Sequence, residues 1–319
     1  MEKLSVLVEV ITREAEDIKS FVLTSVSGAE LPRYTPGAHV DVHMGGGLVR
    51  QYSLCGSPQD RSRYMIGVKR EPQSRGGSER MHGQLRVGDR IEISVPKNNF
   101  ALDETADNTI LLAGGIGITP IIAMADRLLL LGKSFELHYF GRTPQHTAFY
   151  KRLAQPEFAG KVHVHYGLDA DAVRTKLEIL LSSHGHGSHL YLCGPKPFMD
   201  MITTVAAQSW PPEAIHLEYF AADLAALAGP TNSFEVRLAR SGESYIVPED
   251  RSILQVLQEA GVDVSYSCEE GVCGTCMTGL LEGTPDHRDL FLSRADRAAN
   301  TKMCLCVSRA KSSVLVLDI

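Results

Sequence analysis

The chain lacks any apolar run near the roughly 18 residues that a membrane span needs. Its opening stretch, MEKLSVLVEVITREAEDIK, holds no unbroken hydrophobic core and no small-residue cleavage site, which argues against a secretory leader and predicts a cytoplasmic protein. Cysteine is scarce and odd in number, seven in all, so a disulfide framework is not expected in a reducing compartment. No Cys-x-His pairing occurs. That excludes a Rieske centre, which needs two Cys and two His ligands. No general acid–base pair or activated nucleophile stands out, and no internal repeat or low-complexity tract is found. His287-Arg288-Asp289 has no companion P-loop or D-F-G, so it is not a kinase loop.

What remains is a chain of 319 residues, long enough for two or three domains of about 100–150 residues. Hydrophobic content of 44% and charged content of 22% are those of a folded globular protein. The formal charge of −6 is uneven: residues 1–102 carry a net +2 and residues 229–319 a net −4. An acidic C-terminal piece argues against nucleic acid there and for a basic protein surface as partner.

The first 100 or so residues read as short strands: Leu4–Val10, Phe21–Leu23, Val40–Val42, Tyr64–Val68 and Arg90–Ile93. Turn signals such as Pro36-Gly37 separate them, so a small antiparallel barrel or sandwich is expected. Near Asp103 the pattern changes. Thr109–Ala113 is an apolar strand running into Gly114-Gly115-Ile116-Gly117-Ile118-Thr119-Pro120, with Thr119 expected as N-cap of a helix and Gly132 as its close. Strands at Phe135–Phe140, Val162–Tyr166 and Leu190–Cys193 alternate with helical stretches, which predicts a parallel sheet. AADLAALAGPTNS, after Phe220, reads as a linker. Beyond it a hairpin (Phe234–Leu238, Tyr245–Val247), a helix (Ile253–Ala260), a cysteine loop and strands near Met303–Val307 and Val314–Leu317 are expected.

That loop, SCEEGVCGTCMTG, spaces Cys268, Cys273 and Cys276 as C-x4-C-x2-C, and 29 residues intervene before Cys306. Four thiolates in this arrangement suit a plant-type [2Fe–2S] cluster. The loop must wrap the cluster and aim backbone N–H groups at its sulfurs, a task that Gly271, Gly274 and Gly279 favour. Structural zinc would use paired knuckles, and only Cys273/Cys276 form one. Cys304 competes with Cys306 as fourth ligand, because alternation along one strand would point both the same way. A cluster takes single electrons and not a hydride, so something upstream must supply them.

Two other stretches suit a phosphate-bearing cofactor. Arg50, Tyr52 and Ser53 end one strand; Val68 and Lys69 end another, followed by Arg75-Gly76-Gly77-Ser78. Arg50 and Arg75 offer charge-assisted donors, and Gly76, Gly77 and Ser78 offer backbone N–H groups at a helix start. The alternative is a solvated basic face. Gly115 and Gly117 fail the full dinucleotide pattern, because Pro120 stands where a third glycine belongs, yet glycines and a helix start still suit a pyrophosphate. Cys193-Gly194 closes a later strand at the sheet edge where such folds bind ligands; Cys193 is either a buried structural thiol or a neighbour of the nicotinamide. Arg142 follows the second strand, where an arginine would suit a 2′-phosphate.

R-x-Y-S-L, R-G-G-S, G-G-I-G-I-T-P, C-G-P and C-x4-C-x2-C…C, in that order, resemble the phthalate dioxygenase reductase family over essentially the whole chain, with vanillate O-demethylase reductases as near relatives. The resemblance implies a multidomain fold: an antiparallel β-barrel flavin domain binding FMN (1–102), an α/β parallel-sheet nucleotide domain binding NADH (103–228), and an α+β plant-type ferredoxin domain (229–319). It favours NADH despite Arg142, implies that Phe220 packs against the flavin, and selects Cys306 over Cys304, since in the family the cysteine before V-S-R-A is the ligand. It also implies a terminal Rieske-type oxygenase as partner, docking near the cluster, with Glu269 and Glu270 either docking residues or a solvated loop. No nucleic acid and no membrane are expected. A cytochrome P450 or other acceptor is the alternative partner. A zinc-stabilised binding module without turnover is the alternative of another class. His163 and His165 share a strand face and His184, His186 and His189 sit in a glycine loop; with no third ligand type nearby in sequence, both sets are expected to be solvated or hydrogen-bonded.

Overall fold

In β1 (Lys3–Ala15) Val6 and Val8 are fully buried while Ser5 and Glu9 face solvent, the period-2 pattern of a strand with one wet face. The computed structural model describes residues 3–72, 76–182, 184–222, 227–229 and 231–319. It falls into two compact units, Met1–Glu218 and Tyr219–Ile319.

The first unit opens with a six-stranded antiparallel sheet. To β1 it adds β2 (Ile18–Ser25), β3 (His39–His43), β4 (Val49–Ser53), β5 (Arg63–Lys69) and, after helix α1 (Gly77–Gly83), β6 (Arg90–Ser94). The order is β4-β3-β6-β1-β2-β5, and a bridge between Leu54 and Ile66 joins the two edges, so the expected barrel closes. Phe21, Leu23, Val40, Tyr64, Ile66 and Ile93 fill it.

The same unit continues into a parallel sheet. It comprises β7 (Asn108–Gly114), α2 (Ile118–Leu130), β8 (Ser134–Gly141), α3 (Tyr150–Leu153), β9 (Val162–Tyr166), α4 (Ala170–Leu181), β10 (Ser188–Cys193), α5 (Lys196–Ala206) and β11 (Ile215–Glu218). Strand order is β11-β10-β7-β8-β9, all parallel. Thr119 is not the N-cap of α2. A 3-10 turn over Gly115–Gly117 runs straight into the helix, which leaves Thr119 buried in its first turn with Oγ1 donating to the Ile116 carbonyl at 3.0 Å. Gly132 does close the helix: at φ +65° its N–H reaches the Leu129 carbonyl, and the next N–H reaches that of Leu128, a Schellman motif. In its last turn Leu128 is buried and Leu130 is 61% exposed.

The second unit builds a five-stranded mixed sheet from β12 (Phe234–Leu238), β13 (Ser244–Val247), β14 (Met277–Glu282), β16 (Lys302–Cys304) and β18 (Val314–Leu317), ordered β13-β12-β18-β14-β16. A small pair, β15 (Pro285–Asp286) with β17 (Arg309–Ala310), and helices α6 (Ile253–Glu259) and α7 (Arg294–Ala299) complete it. Ser252 with Gln255, and Ser293 with Asp296, form reciprocal capping boxes that start the two helices. Two sequence expectations change here. The strand expected to reach Val307 ends at Cys304, with a turn following, and Gly279 lies inside β14, outside the cysteine loop. Part of the expected linker, residues 223–226 and Pro230, lies outside the described residues.

Candidate functional site

In the first unit the barrel meets the carboxyl edge of the parallel sheet. Gly67 on β5 makes this possible: a Cβ there would lie 2.6 Å from the Thr119 methyl and 3.2 Å from the Phe149 ring. Arg152, ion-paired with Asp126, donates to the Cys55 carbonyl at 2.8 Å and ties α3 to the barrel.

Along the barrel, Arg50 and Tyr52 are half-buried and Ser53 is buried. Gly76 caps α1 in the left-handed region at φ +86°. A Cβ on Gly77 would come 2.5 Å from Arg50 Cγ, so the fold brings Arg50 and the Gly76-Gly77 turn together. Ser78 Oγ accepts from the Glu71 N–H at 3.1 Å. Val68 is buried; Lys69 pairs with Glu71 at 2.7 Å. Arg75 lies outside the described residues.

At the sheet edge, the backbone of Gly117 presses on the Cys193 carbonyl and Gly194, where any side chain would clash. Phe198 packs over Gly114 and Gly194, each lacking the Cβ that would sit 2.9 Å from its ring. Tyr139 Oη donates to the Gly115 carbonyl at 3.0 Å, holding that glycine at φ +54°. Pro120 is buried beside Thr119, and Arg142 is exposed directly after β8.

One residue there escaped the sequence reading. Glu218 ends β11 opposite Cys193 in the register, and Ser53 Oγ of the barrel donates to its Oε2 at 3.3 Å. Burial pushes its carboxyl up to about 8, so it holds a proton at neutral pH; the Ser53 hydrogen bond works in the other direction. Burial and the neighbouring Glu218 also push the Cys193 thiol well up, keeping it a neutral thiol. The available signal was an acid closing the short strand Ile215-His216-Leu217-Glu218 at the ligand edge.

In the second unit Cys268, Cys273, Cys276, Cys304 and Cys306 converge, all buried and none in a disulfide. Cys268 hydrogen-bonds Cys273, and Cys276 hydrogen-bonds both Cys304 and Cys306, which draws Cys276 and Cys273 well below the usual thiol range. Gly271 and Gly274 both sit at φ +70°. A Cβ on Gly274 would overlap the Phe291 ring, and one on Gly271 would lie 2.5 Å from a Val307 methyl. That tight loop aims the Glu270 N–H at Cys268 Sγ (3.3 Å) and the Thr275 N–H at Cys273 Sγ (3.4 Å). Behind it, the buried Asp289 accepts from the Leu292 N–H at 2.7 Å and from Ser308 Oγ at 3.3 Å. Arg309 donates to the carbonyls of Arg251, Asn232 (3.0 Å) and Pro248 (2.8 Å). Buried thiols clustered in this way, with backbone N–H groups aimed at Cys268 and Cys273, are the donor set an iron–sulfur cluster requires. Cys304 is wholly buried on β16, paired with Met277, whereas Cys306 lies in the following turn and is 9% exposed. The two therefore do not alternate along one strand. Phe220 is 38% exposed at the start of this unit.

A closed barrel, a glycine-lined parallel-sheet edge and a thiol-lined loop together define an electron-transferring iron–sulfur flavoprotein. The model of the 2Fe-2S iron-sulfur cluster binding domain matches residues 236–311. The vanillate O-demethylase oxidoreductase of Pseudomonas sp. (strain HR199 / DSM 7063) is 44% identical over 99% of this chain and 100% of its own length. The solved structure of phthalate dioxygenase reductase, a modular structure for electron transfer from pyridine nucleotides to [2Fe–2S], aligns with a TM-score of 0.75 and 40% identity, over 99% of this chain and 98% of that one. An intact type IV self-sufficient cytochrome P450 monooxygenase aligns with a TM-score of 0.85 and 37% identity, over 99% of this chain and 41% of that one.

The chain belongs to the phthalate dioxygenase reductase family. It is an oxidoreductase of the kind that serves oxygenase systems, an iron–sulfur flavoprotein with a [2Fe–2S] domain. Among the described residues no helix is long and apolar enough to cross a membrane.

Proposed function

We propose that this chain draws electrons from NADH and delivers them singly to a separate Rieske-type oxygenase, which hydroxylates a ring or removes an O- or N-methyl group from a small substrate. When bound, the nicotinamide supplies a hydride, the flavin accepts it and releases single electrons, and the cluster carries one at a time. The carrying observation is the convergence of buried thiols on a glycine-lined loop whose N–H groups point at sulfur. In this reading Cys268, Cys273, Cys276 and Cys306 hold the iron, and Cys304 packs behind them. The exposure of Cys306 in its turn, against the full burial of Cys304 in β16, supports that choice.

Arg50, Tyr52, the Gly76-Gly77-Ser78 turn and Arg75 hold the FMN phosphate and ribityl chain, with Ser53, Val68 and Lys69 lining the barrel mouth. Gly115, Gly117, Thr119 and Pro120 shape the pyrophosphate side. Thr119 and Pro120 act through packing, because both are buried. Cys193 and Gly194 border the nicotinamide, and Arg142 the adenosine end. Ser53, Glu218 and Cys193 form a neutral, proton-bearing wall that keeps negative charge away from an incoming hydride.

We assign residues 1–102, 103–228 and 229–319 to the flavin, nucleotide and cluster modules, in a cytoplasmic protein. The net −4 of residues 229–319 and the exposed Glu269 suit a basic docking surface on the oxygenase near the cluster. The full-length likeness to part of a self-sufficient P450 favours a second reading, with a P450 as acceptor. Reconstitution with each acceptor separates them: the Rieske reading expects NADH-dependent reduction of a Rieske oxygenase and none of a P450. Cys273→Ser should end that transfer while NADH-to-ferricyanide turnover continues. Loss of both in a folded, flavin-bearing variant would contradict the division of labour.

A further inference from the structure

Parallel pairing of β8 with the edge strand β9 assembles a group that no single stretch of sequence contains. The register sets His163 beside His138 and His165 beside Phe140. Alternation then puts Glu136 and His138 on the same sheet face as His163 and His165. His138 is buried, with Nε2 3.3 Å from Glu136 Oε2 and Nδ1 3.0 Å from His165 Nε2. The His163 ring stacks on that of His138 at 4.8 Å. One ligand atom from each of Glu136, His138 and His163 lies within 4.8 Å of the others.

We propose that Glu136, His138 and His163 form a divalent-cation site of the zinc class, with His165 as the outer hydrogen-bond partner of His138. Two imidazoles and a carboxylate with an open fourth position are a recurrent tetrahedral zinc set. With metal–ligand bonds of about 2.0–2.1 Å, tetrahedral ligand atoms stand about 3.4 Å apart, the spacing already present between His138 and Glu136. Glu136 and His163 are exposed, so an ion enters from solvent and these two side chains close the remaining distance, while His138 stays anchored. When His138 gives its Nδ1–H to His165 Nε2, its Nε2 lone pair faces the Glu136 carboxylate, and a cation between them resolves two facing acceptors. This is the outer-shell arrangement that orients metal-binding histidines elsewhere. Lys176 on α4 is the nearby positive charge that works against it. The sequence reading set His163 and His165 aside for want of a third ligand; Glu136 and His138 come from the neighbouring strand.

The test uses the full chain with flavin and iron in place, both quantified before and after. Zinc chloride is titrated by calorimetry and by competition with a chromophoric chelator, and the bound metal is read by zinc-edge X-ray absorption. The site predicts one zinc per chain at micromolar affinity, with nitrogen and oxygen donors alone. His163→Ala and Glu136→Gln, both at exposed positions, should each weaken binding at least tenfold, and His165→Phe roughly 10–100-fold. His189→Ala, in the separate His189–His216 pair, should leave it unchanged. Weak multisite uptake, indifference to both His163→Ala and Glu136→Gln, or sulfur near about 2.3 Å in the zinc shell would each overturn the proposal.

Discussion

Glu218→Gln should remove a pH dependence that the wild type carries between about pH 4.5 and 8. The carboxyl titrates near 4.5 in the unfolded chain and is pushed up to about 8 by burial in the native state. Between those values the native state binds one proton more than the unfolded state, so stability falls as pH rises through the window. Below 4.5 both states are protonated and above 8 neither is, so the contribution is flat outside it. Each pH unit of the window is worth about 1.4 kcal/mol, which makes the whole effect on the order of 3–5 kcal/mol for this half-buried group. Glutamine keeps the shape and an acceptor for Ser53 Oγ but cannot ionise. The assay is urea unfolding of the first unit, followed by flavin release from pH 4 to 9, with the variant curve subtracted so that other titrating groups cancel. A difference that grows in the variant's favour as pH rises, together with a carboxylic C=O infrared band lost in the variant, is the expected result. Parallel stability curves for the two proteins would refute a protonated Glu218.

Three further outcomes follow from the geometry. Cys306→Ala should lose its iron while Cys304→Ala keeps it; iron analysis and the visible spectrum decide, and the reverse pattern would exchange the two roles. Gly274→Ala forces a left-handed backbone on alanine and drives its methyl into the Phe291 ring, with expected costs of about 1–2 and 1–3 kcal/mol. Urea unfolding of the second unit with normal stability would contradict that. Arg50→Ala removes a charged donor worth about 1.5–3 kcal/mol and should weaken FMN binding roughly 10–150-fold, read by flavin fluorescence; unchanged retention would take Arg50 out of the site.

Much of this was legible in the residues because it rests on local constraint. Gly271 and Gly274 must adopt positive φ to let the loop curl, and C-x4-C-x2-C fixes the rest, so the cysteine loop stands out in one dimension. The barrel and parallel sheet follow from alternation and from glycine punctuation at strand ends. The failures came where the outcome depends on partners far along the chain. Thr119 looked like a cap, but the 3-10 turn before it and the missing Cβ of Gly67 bury it. Cys304 and Cys306 looked equivalent until β16 ended between them. Glu218 acquires its character from burial, in a place that the fold builds with Ser53, 165 residues away, and Cys193 on the adjacent strand. The Glu136–His138–His163 group exists through register alone.

On this reading the chain gathers four thiolates around a pair of irons fed from NADH. The direct measurement is iron and acid-labile sulfide on anaerobically purified chain, with electron paramagnetic resonance recorded after one equivalent of NADH. Two irons and two sulfides per chain, with a reduced-cluster signal that vanishes in Cys273→Ser, is the predicted result. Flavin-bearing protein with neither iron nor sulfide would contradict the account.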